Sequence, residues 1–184
     1  MTESLQIIEL GNPILQQRSH PVVDVRSDRV QKLIADLMLT VRNANGVGIA
    51  APQVAQPDRL FIVASRPTPR YPNAPEMEPT AIINPRFLAH SDEVVKDWEG
   101  CLSVPGIRGL VPRYQAIEVE YTGQNGKLYR QEMNGFVARI FQHELDHLDG
   151  IVFLARVESV QDLMSEKEYQ ERIVQANERF SSKE

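Results

Sequence analysis

The run His143-Glu144-Leu145-Asp146-His147 holds the residue types and the spacing best suited to chemistry in this sequence. Four positions apart on a helix, the two imidazoles differ by only about 40° around the axis and sit about one turn apart, so both can converge on one metal ion. Glu144 follows the first histidine, close to the ion in another direction, which suits a general base acting on metal-activated water. The pattern requires a helix around it and a third ligand from elsewhere. A tetrahedral catalytic ion with two histidines needs one more protein ligand and keeps one position open. Cys101, the single cysteine, is the candidate, in Glu99-Gly100-Cys101-Leu102-Ser103-Val104-Pro105-Gly106. Alone it would read as a small buried hydrophobe; beside the histidine pair it reads as a ligand.

At 184 residues with one cysteine, the expectation is one domain with a core that needs neither disulfides nor a structural metal. The formal net charge of −5 argues against a broad basic surface for DNA or other nucleic acid. No apolar run approaches the roughly 20 residues needed to cross a bilayer, and the N-terminus lacks the pattern of a signal peptide. A soluble, cytoplasmic protein without membrane attachment is the expectation.

The elements that must position these residues read as follows. Residues 6–11 form a brief strand or an extended lead-in. Residues 27–43 carry Val30, Leu33, Ile34, Leu37, Met38 and Val41 at helical spacing, with Ser27 as N-cap. In Gly46-Val47-Gly48-Ile49-Ala50-Ala51-Pro52-Gln53 the small residues keep bulk off a backbone that something approaches, or simply mark a turn into a strand. Strands are predicted at 60–64 and 81–84, separated by an irregular loop at 65–79 with five prolines. Alternation at Ile117, Val119 and Tyr121, then Gln124-Asn125-Gly126, then a return over 128–133 predicts a hairpin. The helix that follows divides into a core face of Val137, Phe141, Leu145 and Leu148 and a ligand face of Phe136, Ile140, His143 and His147. Gly150 ends it. A strand is predicted within 151–157, and Leu163, Met164, Ile173, Val174 and Phe180 suggest an amphipathic helix in the tail.

Three segments in order, Gly46 to Gln53, Glu99 to Ser103 and Gln142 to His147, resemble the Gly-x-Gly-x-Ala-Ala-x-Gln, Glu-Gly-Cys-Leu-Ser and Gln-His-Glu-x-Asp-His motifs of peptide deformylases. The resemblance implies a metal-dependent hydrolase that removes the formyl group from N-terminal formyl-methionine of nascent polypeptides. It implies Cys101, His143 and His147 as metal ligands and Glu144 as general acid/base. It also implies Gln53 and the Leu102 N–H as oxyanion donors and Gly48 as a backbone partner of the peptide. Fe²⁺ is the native ion it implies, with Zn²⁺, Ni²⁺ or Co²⁺ able to occupy the site. Val47, Phe136 and Ile140 are candidate walls for the methionine side chain or equally plain core, and Arg139 is expected along the rim. Glu99 reads either as a carboxylate orienting a histidine or as a surface carboxylate or an ion partner of an arginine such as Arg108. His20 and His90 read as exposed turn residues.

The fold expected is α+β, a single domain with antiparallel β-sheets packed around the central metal-binding helix. Residues 1–157 form the deformylase-like catalytic domain and 158–184 a helical tail of the same domain. Substrate partners would be formyl-methionyl peptides and nascent chains, and the tail raises a transient ribosome contact. Two rival readings are an ordinary metallopeptidase, disfavoured because the third ligand is an upstream cysteine, and a non-catalytic metal-binding module, disfavoured by Glu144.

Overall fold

The computed structural model describes residues 2–175. Its elements are α1 (Asp28–Asn43), β1 (Gly48–Ala50), β2 (Leu60–Val63), β3 (Thr80–His90), β4 (Val94–Cys101), β5 (Val104–Tyr114), β6 (Ala116–Thr122), β7 (Leu128–Asn134), α2 (Gly135–Leu148), β8 (Leu163–Ser165) and α3 (Glu166–Tyr169). Two antiparallel sheets result, a five-stranded one in the order β1-β2-β3-β6-β7 and a three-stranded one in the order β4-β5-β8. This is the expected α+β architecture, with the histidine-bearing helix α2 packed on the larger sheet.

The large sheet is buried on both faces at its β1–β2 end, and the sequence of β2 shows why. Leu60 and Ile62 join the layer beneath α1, whereas Phe61 and Val63 join the layer beneath α2. A strand covered on both sides needs no polar alternation, so it reads as an uninterrupted apolar run. Toward the edge the pattern changes: β6 turns Ile117, Val119 and Tyr121 inward and leaves Glu118 and Glu120 partly exposed, as expected for a half-buried strand. The hairpin from β6 to β7 forms as predicted, with Gly126 at φ +76° in its turn.

Several expectations are corrected. Ser27 stands at the N-cap of α1, but its hydroxyl donates to the Asp24 carbonyl at 2.8 Å instead of accepting from the helix. The lead-in at 6–11 is extended without being a strand, tied by Ile8 N–H to the Gln53 carbonyl and Leu10 N–H to the Ser103 carbonyl, at 2.9 and 2.8 Å. Strand 81–84 continues to His90, and His90 stacks on Tyr114 at 3.7 Å instead of sitting in a turn. The strands β4 and β5 have no counterpart in the sequence reading, because their glycines, prolines and charges hide the alternation. The predicted strand at 151–157 is a 3₁₀ turn, Phe153–Arg156, that buries Phe153. Leu163 and Met164 belong to β8, since the edge of β5 offers them a pairing register opposite Gly109 and Arg108. Phe180 lies outside the described residues. Among the described residues no helix is long and apolar enough to cross a membrane.

Candidate metal and peptide site

Helix α2 leaves Gly135, which adopts φ +54°, and runs between the sheets with nearly every side chain buried from Ala138 to Leu148. That burial brings its polar residues into the interior, where each requires a partner. Gln142 illustrates the rule: its amide oxygen accepts from Tyr114 N–H at 3.0 Å and its nitrogen donates to the Tyr114 carbonyl at 2.9 Å, fastening the helix to β5.

Cys101 ends β4, where the pairing with β5 shifts register between Gly100 and Cys101. The ligating atoms of Cys101, His143 and His147 lie within 4.8 Å of one another and all three residues are buried. His147 turns Nε2 toward Sγ at 3.2 Å. His143 places Nδ1 2.8 Å from Glu99 Oε2, which fixes its ring and leaves Nε2 for an ion. One thiolate and two imidazoles form a donor set suited to zinc or ferrous iron. Among the described residues this group offers three ligands, which would leave a tetrahedral ion one position not taken by protein.

Glu99 orients the histidine, and its arginine partners are Arg113 and Arg139 instead of Arg108. Arg113 donates Nε and Nη2 to it at 2.9 and 3.0 Å, and Arg139 donates Nη1 at 2.9 Å. Arg139 therefore lies buried in the wall of the cleft, bonded also to the Val95 and Val111 carbonyls, and not along the rim. Arg113 bridges onward to Asp146 at 2.6 Å, which accepts Arg156 Nη2 at 2.7 Å. Burial alone would push the Glu99 carboxyl up, but the Arg113 charge and the bond from His143 outweigh it and hold the group well below the usual carboxylate range.

Glu144 has the opposite environment. Its carboxyl is buried, Oε2 has no hydrogen-bond partner among the described residues, and burial raises its pKa to about 7 despite His143 alongside. Gly48 makes room for it: a Cβ there would stand 2.9 Å from the Glu144 carboxyl carbon and from Ile140 Cγ2. Gly48 is thus needed for close approach, and the segment is also a turn into a strand, the chain turning at Ala44 and Asn45 before β1 opens at Gly48.

Gln53 lies in the short turn Ala51–Val54. Its oxygen accepts from Ala50 N–H at 2.9 Å, which directs Nε2 to Cys101 Sγ at 3.4 Å and Ser103 Oγ at 3.2 Å. One cleft collects the remaining residues singled out by sequence: Val47, Gly48, Gln53, Leu102, Phe136 and Ile140 line it together with Cys101, His143 and Glu144. His147 completes the ligand group beneath. The cleft also includes Arg70, Tyr71 and Trp98, which sequence reasoning missed. The proline-rich loop carried no periodic signal for Arg70 and Tyr71, and Trp98 lies on the unrecognised β4. Arg113 was equally silent, a lone arginine in a segment to which the sequence reading assigned no element. Asp146 stood within the helix motif, but its partner was not visible.

A sequence profile of the Polypeptide deformylase family matches residues 4–162. The chain belongs to that family. It is 64% identical over 171 residues to peptide deformylase 2 of Nostoc sp., covering 93% of this chain and 96% of that protein. To peptide deformylase 2 of Shewanella oneidensis it is 47% identical over 152 residues, 83% of each chain. Among solved structures, a Met-Ala-Ser-bound class I type b peptide deformylase from Acinetobacter baumannii superposes with a TM-score of 0.83 at 43% identity, covering 85% of this chain and all of that one. The chain is accordingly a metal-dependent hydrolase of the kind that removes N-formyl groups from nascent chains.

Proposed function

We propose that this enzyme hydrolyses the formamide of N-terminal formyl-methionine with Cys101, His143 and His147 holding one divalent ion and Glu144 moving the proton. The observation that carries this reading is the buried, unpartnered Glu144 carboxylate beside a three-donor ligand group. A purely structural ion gains nothing from such a group. Held by these ligands, an ion would supply Lewis-acid chemistry, lowering the pKa of water toward neutral and polarising the formyl carbonyl.

The chain's own residues do the rest. Glu144 accepts a proton from the attacking water and returns it to the nitrogen as the C–N bond breaks, giving formate and a free α-amine. A pKa near 7 suits a group that must take and release a proton near neutrality. The Gln53 amide, fixed beside Cys101 Sγ, and the Leu102 N–H serve as donors to the developing oxyanion; one such donor is typically worth about 100- to 1000-fold in rate. Gly48 presents backbone to the peptide, while Val47, Phe136 and Ile140 form the methionine pocket. The Met-Ala-Ser in the Acinetobacter baumannii structure is the product that such a reaction leaves, and it supports the substrate class.

Fe²⁺ is the native ion in this reading, taken from the likeness to peptide deformylases, since the donor set suits zinc and ferrous iron alike; aerobic handling should inactivate the iron form, and equal activity after aerobic and anaerobic loading would count against iron. We place the enzyme in the cytoplasm, with 1–157 as catalytic unit and 158–184 as a tail of the same domain. A transient ribosome contact would fall to the tail; co-sedimentation with and without residues 158–184 tests it. The activity test uses formyl-Met-Ala-Ser, acetyl-Met-Ala-Ser and an intact protein. Formate from the first alone supports the proposal, and cleavage of the protein overturns it.

A further inference from the structure

Arg108 heads the fully buried side chains by size. Completely desolvating a guanidinium is unfavourable unless its charge and donors are met. Its carboxylate partner comes from the tail: Nε and Nη2 donate to Glu166 at 2.6 and 3.1 Å. Both faces are covered, with the guanidinium carbon 4.8 Å from the Tyr71 ring centre and 4.6 Å from that of Tyr169. Nη1 has no hydrogen-bond partner among the described residues; that edge is pressed against Gly100, where a Cβ would come within 3.0 Å of Nη1.

These contacts form an ordered stack running from the tail to the cleft. Gly100 N–H donates to the Tyr71 hydroxyl at 3.1 Å. Tyr71 leans on Phe136 with ring centres 5.0 Å apart, and Tyr169 meets Trp98 edge-on at 5.7 Å. Tyr71, Trp98, Gly100 and Phe136 line the cleft, whereas Arg108, Glu166 and Tyr169 do not. Tyr71 belongs to the proline-rich loop, outside the named strands and helices; its backbone pairs with Thr68, and its ring is held by Phe136, Gly100 and the Arg108 face. The tail is locked opposite Arg108 by the pairing of Met164 with it, and this part of the chain lies beyond the match to the family profile, which ends at residue 162.

We infer that residues 163–169 act as a clamp on the formyl-peptide cleft, in which Glu166 and Tyr169 fix Arg108, and Arg108 fixes Tyr71 and Gly100 as the cleft's outer wall. The inference rests on the deformylase reading. A clamp of this kind uses properties that only arginine combines, a planar cation with two stacking faces and a fork of donors. Glu166 and Tyr169 are positioning residues that never touch the peptide, so they govern its affinity and not the chemistry at the ion.

The test compares the full-length, metal-loaded parent with Glu166→Gln, Tyr169→Leu and Tyr169→Phe. KM and kcat are measured for formyl-Met-Ala-Ser, and Met-Ala-Ser binding is followed by fluorescence of Trp98, the single tryptophan. Loss of the charged hydrogen bonds or of the cation–π face should raise KM and the Met-Ala-Ser dissociation constant on the order of tenfold, with kcat and metal content held. Tyr169→Phe keeps the ring and should match the parent. The near-isosteric Glu166→Gln keeps the test decisive if Tyr169→Leu folds poorly. The inference is overturned if KM and the dissociation constant of Glu166→Gln stay within about twofold of the parent. It is overturned equally if kcat and metal content fall while KM holds, or if Tyr169→Phe is as impaired as Tyr169→Leu. A parent that releases no formate defeats the deformylase reading itself and the clamp with it; an active parent with unmoved variants defeats only the clamp.

Discussion

Replacing Glu144 by glutamine should stabilise the metal-free protein in a pH-dependent way. Burial raises the Glu144 carboxyl from 4.5 to about 7, so the folded chain binds its proton more tightly than the unfolded chain. The sign follows from linkage: stability from this group is fully present below the unfolded value and is lost as pH rises through the folded one. The whole displacement is worth ~3 kcal/mol, at about 1.36 kcal/mol per pH unit. Glutamine is neutral throughout and fills nearly the same space, so it carries no such penalty. The unfolding free energy of Glu144→Gln relative to the parent should therefore grow by ~3 kcal/mol between pH 4 and pH 8, most of it gained by pH 7. Urea unfolding of both chelator-treated proteins across that range, followed by circular dichroism, measures it. A difference that stays constant with pH would refute the account of Glu144 as a buried carboxyl. With metal retained, the same variant should lose nearly all formate release, because no group remains to carry the proton.

Glu99→Gln removes the anion that fixes His143 and leaves Arg113 and Arg139 short of charge; zinc affinity should fall about 10- to 100-fold in chelator competition, and an unchanged affinity would contradict the orienting role. Gly48→Ala places a Cβ 2.9 Å from the Glu144 carboxyl carbon, and a shift of about 1 Å in that group should lower kcat/KM roughly 100-fold with zinc content preserved. Phe153, 1% exposed and stacked on His143 with ring centres 6.1 Å apart, should cost about 3–5 kcal/mol when truncated to alanine, measured by denaturant titration. Cys101→Ser should abolish stoichiometric metal retention after gel filtration, since it replaces the one thiolate of the donor set.

The site was legible in sequence where chemistry fixes spacing, and obscure where it is assembled across elements. The four-residue interval of His143 and His147 encodes convergence on a helix, and Cys101 stands out because the chain has no other thiol. Gln53, Gly48 and Leu102 were legible through motif likeness, and the structure brings them to the same cleft. The pairing of Glu99 with His143, 44 positions away, has no local signature; neither does its tie to Arg113, whose strand register sets the distance. Arg139 went astray for a related reason. Helical periodicity placed it beside the ligand face, but the unseen strands β4 and β5 supply carbonyls and a carboxylate that draw it inward.

Those missed strands explain most of the remainder of the fold as well. In β5 the sequence Val104-Pro105-Gly106-Ile107-Arg108-Gly109 reads as turns, because glycine and proline usually punctuate chains. Here they serve contact: Gly100 clears space for Arg108, and a Cβ at Gly109 would press within 2.9 Å of Phe153 and Val157. Leu163 and Met164 gave a helical reading because two apolar residues fit either period, and only the open edge of β5 decides between them. The smaller sheet thus carries little intrinsic strand preference and depends on tertiary contacts on both sides. Its hairpin delivers Cys101 and Glu99 to the helix, so the metal site and the least self-sufficient part of the fold are coupled: ligand binding by Cys101 should protect the amides of β4 and β5 from exchange more than those of β2, which two apolar layers already hold. Hydrogen exchange of metal-free and zinc-loaded protein measures that contrast, and equal protection of the two sheets on zinc binding would refute the coupling.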